Sequence, residues 1–209
     1  MSQSDQYLPL QLWIGGDQLQ HFIKRNKDPK FMEYQEKIAA RDHHSCRFCG
    51  FQSEHHLFTI NLDGNYQNNK ADNLATACPF CAQCQFLDGI GLPFFPGGLL
   101  IYAPEVSQNE LNSLAHILFQ SVYMEDESAS QSKNIYRTFR LRNQLVEKQL
   151  GENLSKPDVY ARMLIDAESD QAKKFNAKVT ESVRLLPDMA GFKPLIRSWQ
   201  ASAFTELSS

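Results

Sequence analysis

The sequence predicts an α+β protein, in which a small cysteine- and histidine-containing module precedes a mainly helical half. Three observations predict this fold. All five cysteines lie between residues 46 and 84, where turn residues interrupt short apolar runs. Beyond residue 107, apolar side chains recur at helical spacing. No linker rich in proline and serine separates the halves, so we expect a module at 1–103 and a helical region at 104–209 to pack as one unit.

The composition indicates a soluble globular protein. Of 209 residues, 42% are hydrophobic and 22% charged, which is typical of a domain that buries a core without disulfides. The formal net charge of −3 argues against sequence-independent binding of nucleic acids, which requires a basic surface. The polar start MSQSDQYLPL lacks the features of a secretory signal, and the apolar stretch 90–103 is too short and broken to span a bilayer. We therefore expect a cytoplasmic protein with reduced cysteines that act as thiolate ligands.

The first module combines short strands with one clear helix. The segment YLPLQLWIGG (7–16) predicts a short strand that ends in a turn. Asp28 as N-cap and Pro29 at the first helical position predict a helix that continues to about residue 42. Residues 57–65, LFTINLDGN, predict a strand followed by an Asp-Gly turn, and LLIYA (99–103) predicts a second strand.

The second half reads as a series of helices. Ser107 and Glu110 match a capping box, which predicts a helix that carries apolar residues at helical spacing as far as Val122. The polar, acidic segment 124–134 predicts a flexible loop. Further helices are expected at 134–151, closed by Gly151, from 155 onward, at 172–186, and within 192–204.

Two Cys-x-x-Cys turns indicate a zinc site. Zn²⁺ favours four tetrahedral ligands, and a Cys-x-x-Cys turn brings two thiolates to the same ion. Cys46 and Cys49 form the first turn, and a glycine that permits a tight backbone follows them. Cys78 and Cys81 form the second turn, and the 28 residues between the pairs leave room for a hairpin and a loop. The spacing therefore predicts one structural Zn²⁺ held by these four cysteines.

The fifth cysteine leaves an alternative ligand set open. Cys81 and Cys84 also form a Cys-x-x-Cys pair, so Cys84 can replace Cys78 or Cys81, or take no part. We favour Cys78 and Cys81, because the Pro-Phe between them resembles the Arg-Phe of the first turn. His43 and His44 lie beside the first turn and are expected to be exposed loop residues.

Residues 31–82 resemble the zinc-ribbon type of HNH endonuclease. The resemblance rests on AARDHHSCRFCG, SEHHLFTI and ADNLATACPFCA, which follow one another in the order of that family's motifs. It implies a ββα-metal core that a four-cysteine zinc supports. It also implies that His55 is a ligand of a catalytic metal, that His56 is the general base, and that Asn73 orders the loop between the motifs.

One departure from the HNH pattern argues against catalysis. The family carries a second metal-binding histidine directly after the last cysteine, and this sequence has Ala82 there. Without that ligand and with an acidic charge balance, we expect no enzymatic activity. The interpretation of His55 and His56 as structural or surface residues is therefore favoured, and a metal-dependent HNH endonuclease is the alternative.

The whole chain resembles the IcmJ/DotN family of the Dot/Icm type IVB secretion system. The motifs YLPLQLWIGG, HHSCRFCGFQSEHHL, ATACPFCAQCQFLDGIG and NIYRTFRLRNQL occur in order along nearly its full length. The resemblance implies a non-catalytic cytoplasmic adaptor of the coupling complex. Such an adaptor binds the C-terminal tail of the membrane-anchored coupling ATPase, joins other subunits of the complex, and is recruited to the inner membrane without inserting into it.

Two segments are candidate docking surfaces, although packing in the core is the simpler interpretation of each. The first is the apolar stretch 92–102, and the second is a helix face of aromatic and aliphatic residues. The same helix carries a basic cluster that is suited either to solvent or to an acidic segment of a partner. The helix face comprises Tyr136, Phe139 and Leu141, and the basic cluster comprises Lys133, Arg137, Arg140 and Arg142.

Overall fold

The computed structural model describes residues 7–167 and 169–207 and has a mixed fold of helices with two small antiparallel sheets. The chain divides into two compact units, Met1–Phe95 and Pro96–Ser209. Each sheet lies within one unit and has two strands. Among the described residues, no helix combines the length and the apolar character needed to cross a membrane.

The first unit places two helices before a β-hairpin and a short helix. In chain order these are α1 (Asp17–Arg25), α2 (Pro29–Arg41), β1 (Phe58–Asn61), β2 (Leu74–Ala77) and α3 (Pro79–Ala82). Strands β1 and β2 are antiparallel, with Phe58 opposite Ala77 and Asn61 opposite Leu74.

Helix α2 begins as its capping residues predict. The Asp28 carboxylate accepts a hydrogen bond from the Lys30 backbone N–H at 3.0 Å, and Pro29 occupies the first turn. The predicted strand at 7–16 is wrong. This segment is tied to the unit by single bonds, from the Trp13 N–H to the Cys84 carbonyl and from the Leu87 N–H to the Trp13 carbonyl. Its apolar pattern fits an unpaired extended segment equally well. A β-strand also needs backbone hydrogen bonds to a neighbouring strand, which the local pattern does not reveal.

A buried arginine joins α1 to the hairpin. The Arg25 guanidinium donates to the Asn61 Oδ1 and to the Thr59 carbonyl, each at 2.5 Å. It also lies over the Phe31 ring at 4.4 Å and the Tyr66 ring at 4.6 Å. Burial lowers the pKa of Arg25 to about 10, so the group remains charged at neutral pH. Its charge is therefore stabilised by hydrogen bonds and aromatic faces.

The replacement Arg25→Ala is expected to lower the free energy of unfolding by about 3 kcal/mol, because it leaves buried acceptors without a donor. Urea denaturation measures this change. The neighbouring exposed Lys24→Ala on the same helix is the matched control and is expected to change stability little. Equal losses in the two variants would contradict the structural role of Arg25.

The second unit contains a second hairpin-like sheet surrounded by helices. Strand β3 (Gly98–Tyr102) pairs antiparallel with β4 (Val183–Pro187), so the predicted strand at 99–103 is formed, and it lies in the second unit. The helices of this unit are α4 (Gln108–Met124), α5 (Ala129–Leu141), α6 (Asn143–Leu150), α7 (Pro157–Ala167), α8 (Asp170–Thr180) and α9 (Lys193–Leu207).

Helix α4 is fixed at its start in two ways. Ser107 and Glu110 form the predicted capping box, in which each side chain bonds to the backbone N–H of the other residue. The buried Gln108 amide then bonds to both backbone groups of Leu185 in β4, at 2.8 Å each. This pair of bonds completes the edge of β4 and determines where α4 meets the sheet.

Three predictions for this unit need correction. The segment 124–134 is not a loop throughout, because α5 begins at Ala129. Asp126 accepts hydrogen bonds from the Ser121 hydroxyl and the Ser128 N–H, which orders the turn before α5. The expected helix at 134–151 is divided at Arg142, although Gly151 does end α6.

The third correction concerns the end of the expected helix at 172–186. Helix α8 ends at Thr180, and residues Val183–Pro187 form β4. A short, mostly apolar run such as VRLL fits a buried strand or a helix turn equally well. Residues Val183–Pro187 form a strand because they pair with β3, which lies about 85 residues earlier in the chain.

Candidate metal centre

Four buried cysteines meet in the first unit. The Sγ atoms of Cys46, Cys49, Cys78 and Cys81 all lie within 4.8 Å of one another, and Cys49 Sγ is 3.6 Å from Cys78 Sγ. All of these thiols are free of disulfides. This spacing suits four thiolates around one tetrahedral ion, and sulfur is a ligand that Zn²⁺ prefers. The cluster can therefore hold a metal ion and is compatible with a structural Zn²⁺.

The first turn follows α2 and depends on a glycine. The Cys46 N–H bonds to the Phe51 carbonyl at 2.8 Å, and the Gly50 N–H bonds to the Cys46 carbonyl at 3.0 Å. Gly50 has a φ of +77°, and a Cβ there would lie 2.4 Å from the Tyr7 hydroxyl. Only glycine fits both the left-handed backbone and the close approach of Tyr7.

The second turn is the start of a helix. Cys78 is the N-cap of α3 and Pro79 occupies its first turn. The Cys78 carbonyl accepts hydrogen bonds from the Cys81 N–H at 3.0 Å and the Ala82 N–H at 2.8 Å. This helical turn directs Cys78 and Cys81 to the same side, so the two sulfurs reach one centre.

The two turns are connected by strand β2 and by a carboxylate that sequence reasoning missed. The Arg47 N–H, between the first two cysteines, bonds to the Thr76 carbonyl at 2.9 Å. The buried Asp42 accepts the Thr76 N–H at 2.9 Å and forms ion pairs with Arg41 at 2.9 Å and Arg47 at 3.5 Å. No motif marks Asp42, because Thr76, the partner that ties it to β2, lies more than thirty residues away.

Electrostatics sets the pKa of Asp42. Burial opposes ionisation, but the Arg41 guanidinium and the Thr76 N–H outweigh it and lower the pKa of this carboxyl. Asp42 is therefore an anion that holds the first turn against β2.

The thiols of the cluster affect one another's ionisation. Burial, together with the hydrogen bonds of the neighbouring thiols, raises the pKa of Cys78 and of Cys81 well above its ordinary value. The pKa of Cys46 is lowered, because hydrogen bonds from the other three thiols outweigh its burial. Several thiolates so close together repel one another, and a divalent cation is the group that neutralises them.

Cys84 stands apart from this group of four. It is buried, and its Sγ donates a hydrogen bond to the Phe80 carbonyl at 3.3 Å, which is the pattern of a thiol on the face of a helical turn. The metal-capable group among the described residues comprises Cys46, Cys49, Cys78 and Cys81. This grouping favours Cys78 and Cys81 as ligands, and the choice between Cys81 and Cys84 stays a prediction.

The histidine pair lies at a separate cavity of the same unit. His55 and His56 occupy a bend before β1, with ring centroids 6.4 Å apart. The cavity has a volume of about 340 Å³, and its lining includes both of these histidines, Glu36, Glu54 and His44. Burial and the neighbouring His55 lower the pKa of His56. This shift favours the neutral form of His56.

His44 differs from its expected place in an exposed loop. Its side chain is 20% exposed and lies between two carboxylates, with Nδ1 3.4 Å from Glu54 and Nε2 3.8 Å from Glu36. Because the two carboxylates face different ring nitrogens, they do not share one point around His44. The Glu36 and Glu54 carboxylates thus flank the His44 ring.

Asn73 and Ala82 occupy different surroundings. The Asn73 amide bonds to the Asp63 carboxylate and to the Asn68 carbonyl, each at 2.9 Å, and its Oδ1 accepts the Asp63 N–H at 3.0 Å. It thereby closes the loop between β1 and β2. Ala82 is completely buried in α3 and offers no ligand atom.

The fold and the cysteines together define a class of protein: a mixed helix-and-sheet protein with a buried four-cysteine cluster able to hold a metal ion. No family model matches the chain. The chain is 39% identical over 208 residues to the Type 4 apparatus protein DotN of Legionella pneumophila, and the match covers 100% of this chain and 97% of that protein. The chain therefore belongs to the DotN (IcmJ) family of Dot/Icm type IV secretion components.

We expect Cys81→Ser to lose the bound metal and Cys84→Ser to retain it, because only Cys81 lies in the ring of sulfurs. Elemental analysis of the purified chain is expected to give about one zinc per molecule. Chelation of that zinc is expected to remove the cooperative thermal transition of the first unit, since the binding energy of a structural zinc is folding energy.

The two serine variants are matched, because both replace a buried thiol near α3 by the same side chain. Full zinc content in Cys81→Ser together with loss in Cys84→Ser would assign the fourth ligand to Cys84. An unchanged thermal transition after chelation would argue against a structural role for the metal.

Proposed function

We propose that this chain is a non-catalytic, zinc-stabilised adaptor subunit of the type IVB coupling complex. In this proposal it binds the cytoplasmic C-terminal tail of the coupling ATPase and is recruited to the inner membrane through that complex. The observation that carries the proposal is the match to DotN, which covers 100% of this chain and 97% of that protein. The four-cysteine cluster supports the zinc part of the proposal.

The chemistry of the cluster favours a structural role for the metal. Cys46, Cys49, Cys78 and Cys81 would supply all four ligands of a Zn²⁺, and a closed set of protein ligands leaves no position for a substrate. The four thiols are at most 8% exposed, so water and substrates have little access to them. The ion would then contribute by joining the turn after α2 to α3.

The β1–β2–α3 order supports an HNH-like ββα arrangement, which we propose is retained as a scaffold. The position that would complete a catalytic metal site is the buried Ala82. His55 and His56 lie in a bend, and His56 has a positive φ of 61°. A single histidine ligand is too few for a firmly held catalytic metal, which usually has at least three protein ligands. This supports binding over hydrolysis.

A pull-down with the C-terminal tail of the cognate coupling ATPase tests the adaptor role. The full chain is expected to be captured by the tail, and not by a scrambled tail of the same composition, because a specific surface must recognise the order of side chains. Hydrogen exchange of the captured chain then identifies the protected segments. Equal capture by the two baits, or capture by neither, would argue against the proposal.

A plasmid-nicking assay with Mg²⁺, Mn²⁺ or Ni²⁺ tests the alternative function. We expect no cleavage above background, because Ala82 cannot complete a catalytic metal site. The His56→Ala variant serves as the control for contaminating nucleases, since it removes the one general base that the HNH resemblance implies. Cleavage that disappears in His56→Ala would replace the adaptor proposal with an HNH endonuclease.

A further inference from the structure

The basic cluster of the second half separates into two parts in the structure. The Arg142 guanidinium forms an ion pair with Glu105 and lies 4.8 Å over the Phe139 ring. The positive charge of Arg142 is therefore paired within the second unit. Arg137 and Arg140 are exposed on α5 and form no ion pair or side-chain hydrogen bond with any side chain that the structure describes.

Arg137 and Arg140 face a groove that also contains a distant lysine. The groove has a volume of about 400 Å³, and Lys156, just before α7, supplies its third cation. Like the two arginines, Lys156 has no side-chain partner within the described part of the chain. The sequence separation of Lys156 from α5 explains why the sequence pattern did not include it.

Glu147 supplies the carboxylate that lines the groove, and the hydroxyl of Ser155 donates a hydrogen bond to it. The Glu147 Oε1 accepts a hydrogen bond of 2.6 Å from Ser155, whose side chain is buried. The Ser155 carbonyl in turn accepts the Leu100 N–H of β3 at 2.8 Å. Glu147 and Ser155 are thus hydrogen-bonded to each other in the lining of the groove. The charged residues of the lining are three cations, Arg137, Arg140 and Lys156, and this one carboxylate.

Apolar surface lies beside these charges. Leu141 lines the groove and is 56% exposed, and Leu99 of β3 lines it from the sheet. Leu145, one turn further on α6, is 45% exposed. Uncovered leucines next to unpaired arginines are typical of a binding surface that takes both apolar and anionic side chains.

We propose that this groove binds an acidic peptide segment of a partner protein, one that carries several carboxylates and at least one aliphatic side chain. Arg137 and Arg140 would pair with the carboxylates, and Leu141 would cover the aliphatic side chain. Lys133, Arg137 and Arg140 follow one another at i, i+4 and i+7 along one face of α5, a row of about 10 Å. Carboxylates at the same spacing on a helix match this row.

Charge and polarity favour a peptide over a nucleic acid. A nucleic acid presents a continuous row of phosphates and requires an extended basic surface. The whole chain has a net charge of −3, and the lining of the groove includes Leu99 and Leu141. The proposal rests on the proposed function only in assuming that the chain acts by binding protein segments.

Fluorescence anisotropy with the full chain tests the groove directly. The probe is a fluorescein-labelled peptide of glutamate, leucine and alanine, about 14 residues or four helical turns long. Arg137→Glu/Arg140→Glu is expected to weaken its binding about tenfold, because two attractive contacts become repulsive. Lys156→Glu is also expected to weaken peptide binding. Added salt should reduce the affinity of the unaltered chain for the peptide, because salt screens the attraction between opposite charges.

Lys174→Glu/Lys178→Glu is the matched control, since it makes the same change in net charge on the exposed face of α8. It should leave peptide binding unchanged, and circular dichroism verifies that all variants fold. A peptide with glutamine in place of glutamate should bind weakly.

Four results would overturn the proposal: no binding of the glutamate peptide, equal binding of the glutamine peptide, equal losses in the control, or tighter binding of a single-stranded DNA that the arginine variant abolishes. Capture by the ATPase tail is measured separately. Capture without peptide binding therefore rejects only the groove, and peptide binding without capture rejects only the ATPase tail as the partner.

Discussion

Burial of four thiols at one point is the constraint on which the first unit depends. Cys46, Cys49, Cys78 and Cys81 are at most 8% exposed and lie within 4.8 Å of one another. Burial and the neighbouring Cys46 both raise the pKa of Cys78, so ionising several of these thiols together is unfavourable without a cation. A bound Zn²⁺ would convert this repulsion into attraction and would join two turns that are distant in sequence.

The two histidines that the HNH resemblance singles out lie at a cavity and not at the cysteine cluster. His55 and His56 line a cavity together with Glu54, and Asn73 closes the loop that follows β1. Metal-assisted hydrolysis needs several ligands that converge on one ion. Ala82, completely buried in α3, supplies none. The cysteine cluster and the buried Arg25, which bonds to Asn61 and Thr59, do not involve these histidines.

The second unit uses a different kind of stabilisation. Its small sheet is completed by the Gln108 side chain, which bonds to both backbone groups of Leu185. Ile101, Leu111 and Leu186 form a cluster of buried side chains around that junction. Apolar burial of this kind is non-directional, so it positions helices without using their outer faces. Arg137 and Arg140 thus remain available on α5 for a partner.

Local chemistry allowed the sequence to determine several features by itself. Two Cys-x-x-Cys turns bring sulfurs together within four residues, Asp28 caps α2, and Ser107 caps α4, because each of these interactions spans only a few positions. The DotN relationship was also readable from motif order, and the match along the full chain confirms it.

Only the tertiary structure decided features whose partners are distant in the chain. Residues Val183–Pro187 become β4 through pairing with β3, and Asp42 is placed by β2. Lys156 lines the same groove as Arg137 and Arg140 of α5. Arg142 instead forms an ion pair with Glu105. A sequence shows which residues are charged or apolar. How much each of them contributes to the stability of the protein depends on the groups that the fold brings next to it.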